Sequence, residues 1–314
     1  MTGILQSSLP ATSSADPAQA LAEAASLGLG ACLFPTMLHL SATLDGGALA
    51  AARAAADDLG LSLAAGAGWI NPFHLERCRP VCALGDGDFL AGLRQVVAAA
   101  AAIGISELFF MVGLIDDRFD RSIPWAGQLE ATASLLRRFA PVLRDHGVRL
   151  LVKTHEEITS FEIARLVVEV GPDMLGVALD PVNLLVRIED PVEATKRIAP
   201  YVRQVFLDDA VVRFAEGGLR RFLHPLGQGD VDCPAILALV PKGAAGFVEL
   251  HRGQFAMPIF DPTWRQGQPD MPLREFAAIV GLAARASSRE MAWDQAVPLS
   301  RLQPTLDALR SLAS

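Results

Sequence analysis

The chain has 314 residues, half of them hydrophobic and a fifth charged, with a formal net charge of −8. That length suits one large α/β barrel, and the acidic balance speaks against a nucleic-acid backbone as partner, which requires a basic face. Four scattered cysteines (Cys32, Cys78, Cys82 and Cys233) do not make a disulfide scaffold in a chain of this size, so a reducing, cytoplasmic compartment is expected.

Strand and helix signals alternate from the start. Residues 3–9 read as a first strand rather than a secretory signal, because no basic segment precedes them. Asp16-Pro17 opens a helix to residue 27. Strand two is 30–34. The uncharged stretch 24–44 around it carries Gly28, Gly30, Pro35 and His39, so no membrane span is expected. An alanine-rich helix covers 47–59 and strand three 61–69, with Asn71 and His74 in the loop beyond. Asp88 caps a helix with Leu93, Val96, Val97 and Ala100 on one face. Strand four is 108–112, and a helix with Leu136, Phe139, Ala140 and Leu143 on one side runs to Gly147. Strand five is 148–152. Thr159-Ser160-Phe161-Glu162 fits a capping box, and Ile163, Leu166, Val167 and Val170 form the stripe of the helix it opens. Strand six is 175–179, a helix starts at Asp190-Pro191, and strand seven is 202–207.

A long polar loop with Arg220, Arg221 and the run 227–232 comes next. A short helix at 234–239 and strand eight at 246–250 follow, then a long loop at 252–272 and a last barrel helix at 273–286. Eight strand–helix units predict a single (β/α)8 barrel. One domain over 1–314 is expected, with the barrel at about 3–286 and a C-terminal helical extension at about 287–314. A doubly wound open sheet would want a glycine-rich loop after strand one, and Ser7-Ser8-Leu9-Pro10 is not one.

In such a barrel the C-terminal strand ends form the active face. Lys153, Thr154, His155, Glu156 and Glu157 follow strand five at once. Asp180 ends strand six, Asp208 and Asp209 end strand seven, and Glu249 and His251 mark the end of strand eight. Charges in a barrel mouth must be paired or must hold a ligand. Each alone could be a solvated rim residue, but the set points to a site. Trp69, His74, Phe255 and Trp264 are candidate walls. Arg220 and Arg221 ahead of the 227–229 turn suit an oxyanion as readily as an ordinary loop. The 252–272 loop is long enough for a lid or a subunit contact, which leaves a homo-oligomer open. Cys78 and Cys82 lack a second pair to complete a metal site.

Five segments carry a resemblance: Lys153-Thr154-His155, Leu179-Asp180-Pro181-Val182-Asn183, Tyr201-Val202-Arg203-Gln204-Val205-Phe206-Leu207-Asp208-Asp209, residues 226–232, and Phe247-Val248-Glu249. In order and spacing they resemble the xylose-isomerase-like TIM barrel superfamily, the sugar phosphate isomerase/epimerase family. It includes ketose 3-epimerases, hydroxypyruvate isomerase, inosose dehydratase and a branch of apurinic endonucleases. The match is good over strands four to eight and general over the first three.

The resemblance implies isomerase, epimerase or related lyase chemistry in carbohydrate metabolism. The substrate would be a small, sugar-like polyhydroxylated carbonyl compound, and the chemistry proton abstraction. It also implies a divalent metal (Mn, Mg, Zn or Co) held by Glu, Asp, His or Gln, and Glu from strands five to eight. The chain departs twice: Lys153 stands at the strand-five Glu position and Phe206 at the strand-seven His position. Asp180 and Glu249 alone are a poor cage, and a lysine ammonium repels a dication, so the metal site reads as degenerate and no metal ligand is assigned. His155, Glu156, Asp208 or His251 could still rebuild one. Lys153 could be an ion-pair partner, an electrophilic donor or a Schiff-base nucleophile. The expected roles are Glu249 as base, Asp180 as second acid–base or orienting group, Lys153 as carbonyl-polarising cation and His155 as a hydrogen-bonding group. Asp208, Arg221, His251, Trp69 and His74 would line the substrate site. The alternative is a barrel that has lost its chemistry and binds a ligand or partner. Apurinic-site cleavage fits poorly, for want of a basic track.

Overall fold

The computed structural model describes residues 2–285 and 298–313. Strands β1 (Thr2–Leu5), β2 (Ala31–Phe34), β3 (Ser62–Trp69), β4 (Glu107–Met111), β5 (Arg149–Lys153), β6 (Leu175–Leu179) and β7 (Val202–Leu207) pair in parallel, each with the next in sequence. An antiparallel hairpin of β8 (Asp209–Ala215) and β9 (Gly218–His224) then intervenes. β10 (Ala245–Val248) pairs with β7 on one side and β1 on the other and closes a (β/α)8 barrel.

The barrel strands are short apolar runs because helices cover their outer face and side chains fill their inner one. β2 and β6 are buried at every position. Leu5, Leu33, Phe109, Leu151, Phe206 and Phe247 meet in the interior. Helix starts follow from local chemistry. The side chains of Asp16, Asp88, Thr159 and Asp190 each accept from an amide of the first turn. The capping box forms as expected, with Glu162 accepting from the Thr159 amide at 2.8 Å.

Two loops read from the sequence are structured. The polar stretch after β7 is the β8–β9 hairpin, in which Ala215 pairs with Gly218 across a two-residue turn. Gly217 supplies the positive φ of 80° that this turn requires. Side chains alternate across a strand, so Arg220 is exposed while Arg221 is buried. The 252–272 stretch contains β11 (Ala256–Met257), which adds a third strand to the hairpin, and the short helix Pro262–Gln266.

Helix Leu273–Ala284 is tied to the barrel helix Pro191–Ile198 by an ion pair from Arg197 to Glu275 at 2.5 Å. Its expected end at residue 286 and the start of the C-terminal extension lie outside the described residues. The C-terminal helix Leu302–Ala313 is present. Thr305 accepts from the Leu226 amide at 3.2 Å, and Leu306 and Leu309 face Thr2, Leu27 and Leu29. No helix among the described residues is long and apolar enough to cross a membrane.

Gly66 in β3 has no room for a side chain, since an added Cβ would lie 2.3 Å from the Pro35 carbonyl oxygen. A Gly66→Ala variant should lose about 2 kcal/mol of stability or more, read as a lower urea midpoint at an unchanged slope. An unchanged midpoint would contradict this tight packing of β3 on β2.

Candidate active site

Lys153 is the last residue of β5, and Asp180 is the first residue beyond β6, so adjacent strands deliver both to the same end of the barrel. Glu249 and His251 arrive from the end of β10. Lys153 Nζ lies 3.0 Å from Asp180 Oδ2, 2.5 Å from Glu249 Oε2 and 4.0 Å from the centre of the Phe206 ring. The ammonium therefore has carboxylates as partners and an aromatic face beside it. Burial alone would lower the Lys153 pKa, but Glu249 and Asp180 outweigh it and raise it above the ordinary lysine value. Lys153 is thus held as a cation.

Asp180 opens the helix Pro181–Val186 without capping it. Its carboxylate turns instead to Lys153, to His251 Nε2 at 2.8 Å, and to the Asn183 amide, which donates to Oδ2 at 2.9 Å. Burial works against ionisation here, yet the charges of His251 and Lys153 hold Asp180 well below the usual carboxylate range. Its other oxygen, Oδ1, is buried with no hydrogen-bond partner among the described residues.

His251 Nδ1 lies 2.9 Å from Asp208 Oδ2, and Nε2 lies 3.4 Å from Glu249 Oε1. Burial would lower His251, but the carboxylates of Asp180 and Glu249 lift it to about 9. Asp208 in turn is held by Arg301 Nη1 at 3.2 Å. Three carboxylates (Asp180, Asp208, Glu249) thus interleave with three cations (Lys153, His251, Arg301). Of the carboxylates, Glu249 keeps contact with solvent, its side chain 14% exposed against 0% for Asp180 and Asp208.

The remaining expected residues form a flank. His155 Nδ1 lies 2.7 Å from Glu157 and Nε2 lies 2.8 Å from Glu156. Burial would lower His155, but Glu157 and Glu156 raise it to about 10. Both ring nitrogens face carboxylates, and the ring stands edge-on to Trp69 at 5.7 Å. Trp69 also carries the Arg77 guanidinium at 5.8 Å. Arg77 pairs with Asp117, which lies 3.3 Å from His74 Nε2. Trp69, His74 and His155 are therefore linked, and all three are partly buried.

Arg221 is fully buried and offers no open edge to a ligand through its terminal nitrogens. Nη1 donates to the Val182 carbonyl at 3.1 Å and to Asn183 Oδ1 at 2.8 Å, and Nη2 donates to the Gly253 carbonyl at 2.6 Å. It fixes the Asn183 amide, which then donates to Asp180. The oxyanion reading of the 227–229 turn is also corrected. The amides of Gly227, Gly229 and Val231 donate to the Asp209 carboxylate at 3.0, 2.8 and 3.1 Å, so the chain supplies its own anion to this turn.

Two residues of the cluster escaped sequence reasoning. Asn183 had a signal, standing three residues beyond Asp180 on the same helix face. Arg301 had none, because it meets Asp208 across 93 residues. Two groups, Asp180 with Glu249 and His251, and His155 with Glu156 and Glu157, each bring potential metal-ligand atoms within 4.8 Å of one another.

A closed parallel barrel with charged groups gathered at the carboxyl ends of its strands is the architecture of TIM-barrel proteins. Residues 21–251 match the family described as xylose isomerase-like TIM barrel, and the chain belongs to that family. It is similar to the uncharacterised protein YihM of Escherichia coli strain K12, with 28% identity over 147 residues. That alignment covers 47% of this chain and 43% of YihM, so the chain spans under half the length of the curated relative it matches. Among solved structures it is similar to D-psicose 3-epimerase in the presence of D-fructose, with 17% identity and a TM-score of 0.63 over 99% of this chain and 97% of that one. L-ribulose 3-epimerase gives 17% and 0.61 over 100% and 97%. D-allulose 3-epimerase from Methylomonas sp. gives 15% and 0.60 over 99% and 97%. At these identities the likeness establishes the fold.

Replacing Lys153 by Met leaves Asp180 buried beside one cation fewer. The Lys153→Met variant should lose about 3–5 kcal/mol of stability in urea unfolding; a loss below about 1 kcal/mol would mean that the pair is not formed. A pH dependence also follows. His155 and His251 bind protons more tightly in the folded chain than at the free value of about 6.5. Their stabilisation is complete below that pH and is lost as pH rises through values of about 9 and about 10. Urea midpoints should fall from pH 7 to 10, less steeply for His155→Gln. Equal slopes for both proteins would count against the His155 assignment.

Proposed function

We propose that the chain is an isomerase- or epimerase-type enzyme of the cytoplasm for a small polyhydroxylated carbonyl compound, with residues 1–314 acting as one domain and the Lys153 ammonium standing in for a metal ion. The observation that carries this reading is the position of Lys153 Nζ, in contact with both Asp180 and Glu249 and over the face of Phe206. The family pattern implies a divalent metal, and the residues present do not fit one. A cation and a hydrocarbon ring occupy two of the four ligand positions. The two carboxylates that remain are already bonded to the ammonium, and both ring nitrogens of His251, which groups with them, already face the carboxylates of Asp208 and Asp180. No step is therefore routed through a metal.

An ammonium has three N–H donors, and two are committed to Asp180 and Glu249. The third donates to the substrate carbonyl oxygen. Glu249, the carboxylate with access to solvent, takes a proton from the carbon beside that carbonyl. Negative charge then builds on the oxygen and is stabilised by Lys153, whose cost of desolvation has already been met in the folded chain. Asp180 Oδ1, buried and without a partner, accepts from a substrate hydroxyl. Return of the proton by Glu249 to the former carbonyl carbon, with the neighbouring hydroxyl proton passed through Asp180 Oδ1 to the former carbonyl oxygen, gives an isomer. Delivery of a proton to the opposite face of the first carbon by Asp180, the second acid–base group, gives an epimer, with Glu249 keeping the proton it took. A Schiff base at Lys153 requires a neutral amine, and the raised pKa opposes it. The likeness of the fold to sugar epimerases supports the substrate class. A second reading, a barrel that binds a ligand without turning it over, is favoured by the near-complete burial of Lys153 and Asp180.

The test is solvent-deuterium incorporation, followed by NMR, into a panel of ketoses, aldoses and their phosphates. Wild-type protein should exchange one carbon-bound hydrogen at an undiminished rate in chelator, and Glu249→Gln should slow exchange about 10²–10⁴-fold. Exchange that requires added Mn would overturn the role given to Lys153. Saturable binding with no exchange across the panel would establish the second reading. A Lys153→Glu, Phe206→His double variant restores the family ligand set and should bind Mn at one ion per chain where wild type binds none.

A further inference from the structure

Arg187 follows directly on the helix Pro181–Val186, and with Arg221 it is the largest fully buried side chain among the described residues. Only Nη1 has a hydrogen-bond partner, Gln268 Oε1 at a long 3.5 Å. Nε and Nη2 have none among the described residues, and neither does Gln268 Nε2. Gln268 is itself buried. The Phe119 and Trp264 rings lie 5.9 and 6.0 Å from the guanidinium carbon.

The acids around Arg187 are already committed. Glu162 pairs with Arg118, Glu157 with His155, and Glu189 with Arg197 and Ser160. Among the described residues Arg187 therefore has no carboxylate in hydrogen-bond contact, and a buried guanidinium without a directly paired counter-charge is costly. Burial above all, and the neighbouring Arg118, lower its pKa to about 9 against the opposing pull of Glu162, Glu157 and Glu189.

The identity of the vacant atoms defines what would satisfy them. Nε and Nη2 lie on one edge of the planar guanidinium, with parallel N–H bonds spaced to meet two oxygens of one carboxylate or phosphate group. Gln268 Nε2 adds further donors, and the orphan groups include no acceptor. We infer that the Nε–Nη2 edge of Arg187, with Gln268 Nε2 beside it, is a buried binding site for a small oxyanion. The oxyanion is either a free carboxylate or phosphate ion or the anionic group of a larger sugar-type ligand.

Thermal unfolding of the full chain at constant ionic strength tests this. Chloride is replaced by inorganic phosphate or by acetate, and sugar phosphates, sugar acids and neutral sugars are added in separate arms. A saturating oxyanion should raise the wild-type Tm by about 3 °C or more. Arg187→Met should lose that response, and it should fold, because an apolar residue of similar volume relieves an unpaired buried charge. Gln268→Leu keeps Arg187 and should weaken the apparent affinity about tenfold, the worth of one charge-assisted hydrogen bond. A response to phosphate and acetate assigns the site to a free ion. A response confined to sugar phosphates or sugar acids assigns it to the ligand's own anionic group. No response to any of them, or a response retained in both variants, overturns the inference. The readout is binding, so it stands apart from the deuterium-exchange test of catalysis.

Discussion

The Lys153 ammonium is the constraint from which the rest of the barrel mouth follows. Taking it out of water costs several kcal/mol, which must be offset by close opposite charge and good geometry. Asp180 and Glu249 provide the charge, and the face of Phe206 adds a favourable cation–π contact. Asp180 is then ionised deep in the protein and needs more than one cation. His251 answers as an imidazolium, which in turn faces Asp208, and Asp208 is held by Arg301. Positive and negative groups therefore alternate from β5 to the C-terminal segment, each made necessary by its neighbour.

That alternation explains why the elements added to the plain barrel sit where they do. The β8–β9 hairpin sends Arg221 inward to orient Asn183, which donates to Asp180. Asp209, at the base of the hairpin, gathers the amides of the 227–231 turn and so anchors the hairpin's return to the barrel. Gly229 is required there, because an added Cβ would fall 2.1 Å from Asp209 Oδ1. The C-terminal segment delivers Arg301, whose Nη2 also donates to the His251 carbonyl. Elements that look peripheral in the chain thus hold the groups that touch the central charges.

The barrel was legible because eight apolar runs, separated by capped helices, leave few other ways to bury so much hydrophobic surface. The polar ends of β5, β6, β7 and β10 were legible too, since charges that follow a buried strand at once have only the barrel mouth to occupy. The hairpin was hidden by its own chemistry. Its turn is Glu216-Gly217 rather than a strong hairpin pair such as Asn-Gly, and Arg220-Arg221 makes the strand look solvated. Alternation was the available signal, with one arginine facing out and the next in. Arg301 was beyond reach because no local pattern reports a contact between the tail and the end of β7. The pairing of His155 with Glu156 and Glu157 was open to inspection as a run of neighbours, but adjacency in sequence does not say that both acids turn to the same ring.

In the sequence, Lys153 and Phe206 look like two separate losses from a metal site. In the structure they are one arrangement, because the ammonium of the first rests on the ring of the second at 4.0 Å. Each change makes the other tolerable. A histidine at 206 would bring a polar, protonatable ring against a buried cation, where like charges repel. A glutamate at 153 would crowd a third carboxylate against Asp180 and Glu249 with the His251 imidazolium as the cation left in contact with them. Phenylalanine removes the repulsion and fills the space, while lysine neutralises the two acids. A site eroding at random would be expected to keep unpaired charges or open cavities at such positions. Here the replacements are complementary in charge, shape and orbital character, and the residues that hold them extend through four strands, a hairpin and the C-terminal segment. This agreement across many contacts is the physical argument that supports the proposed reading of Lys153 as a cationic centre in the barrel mouth.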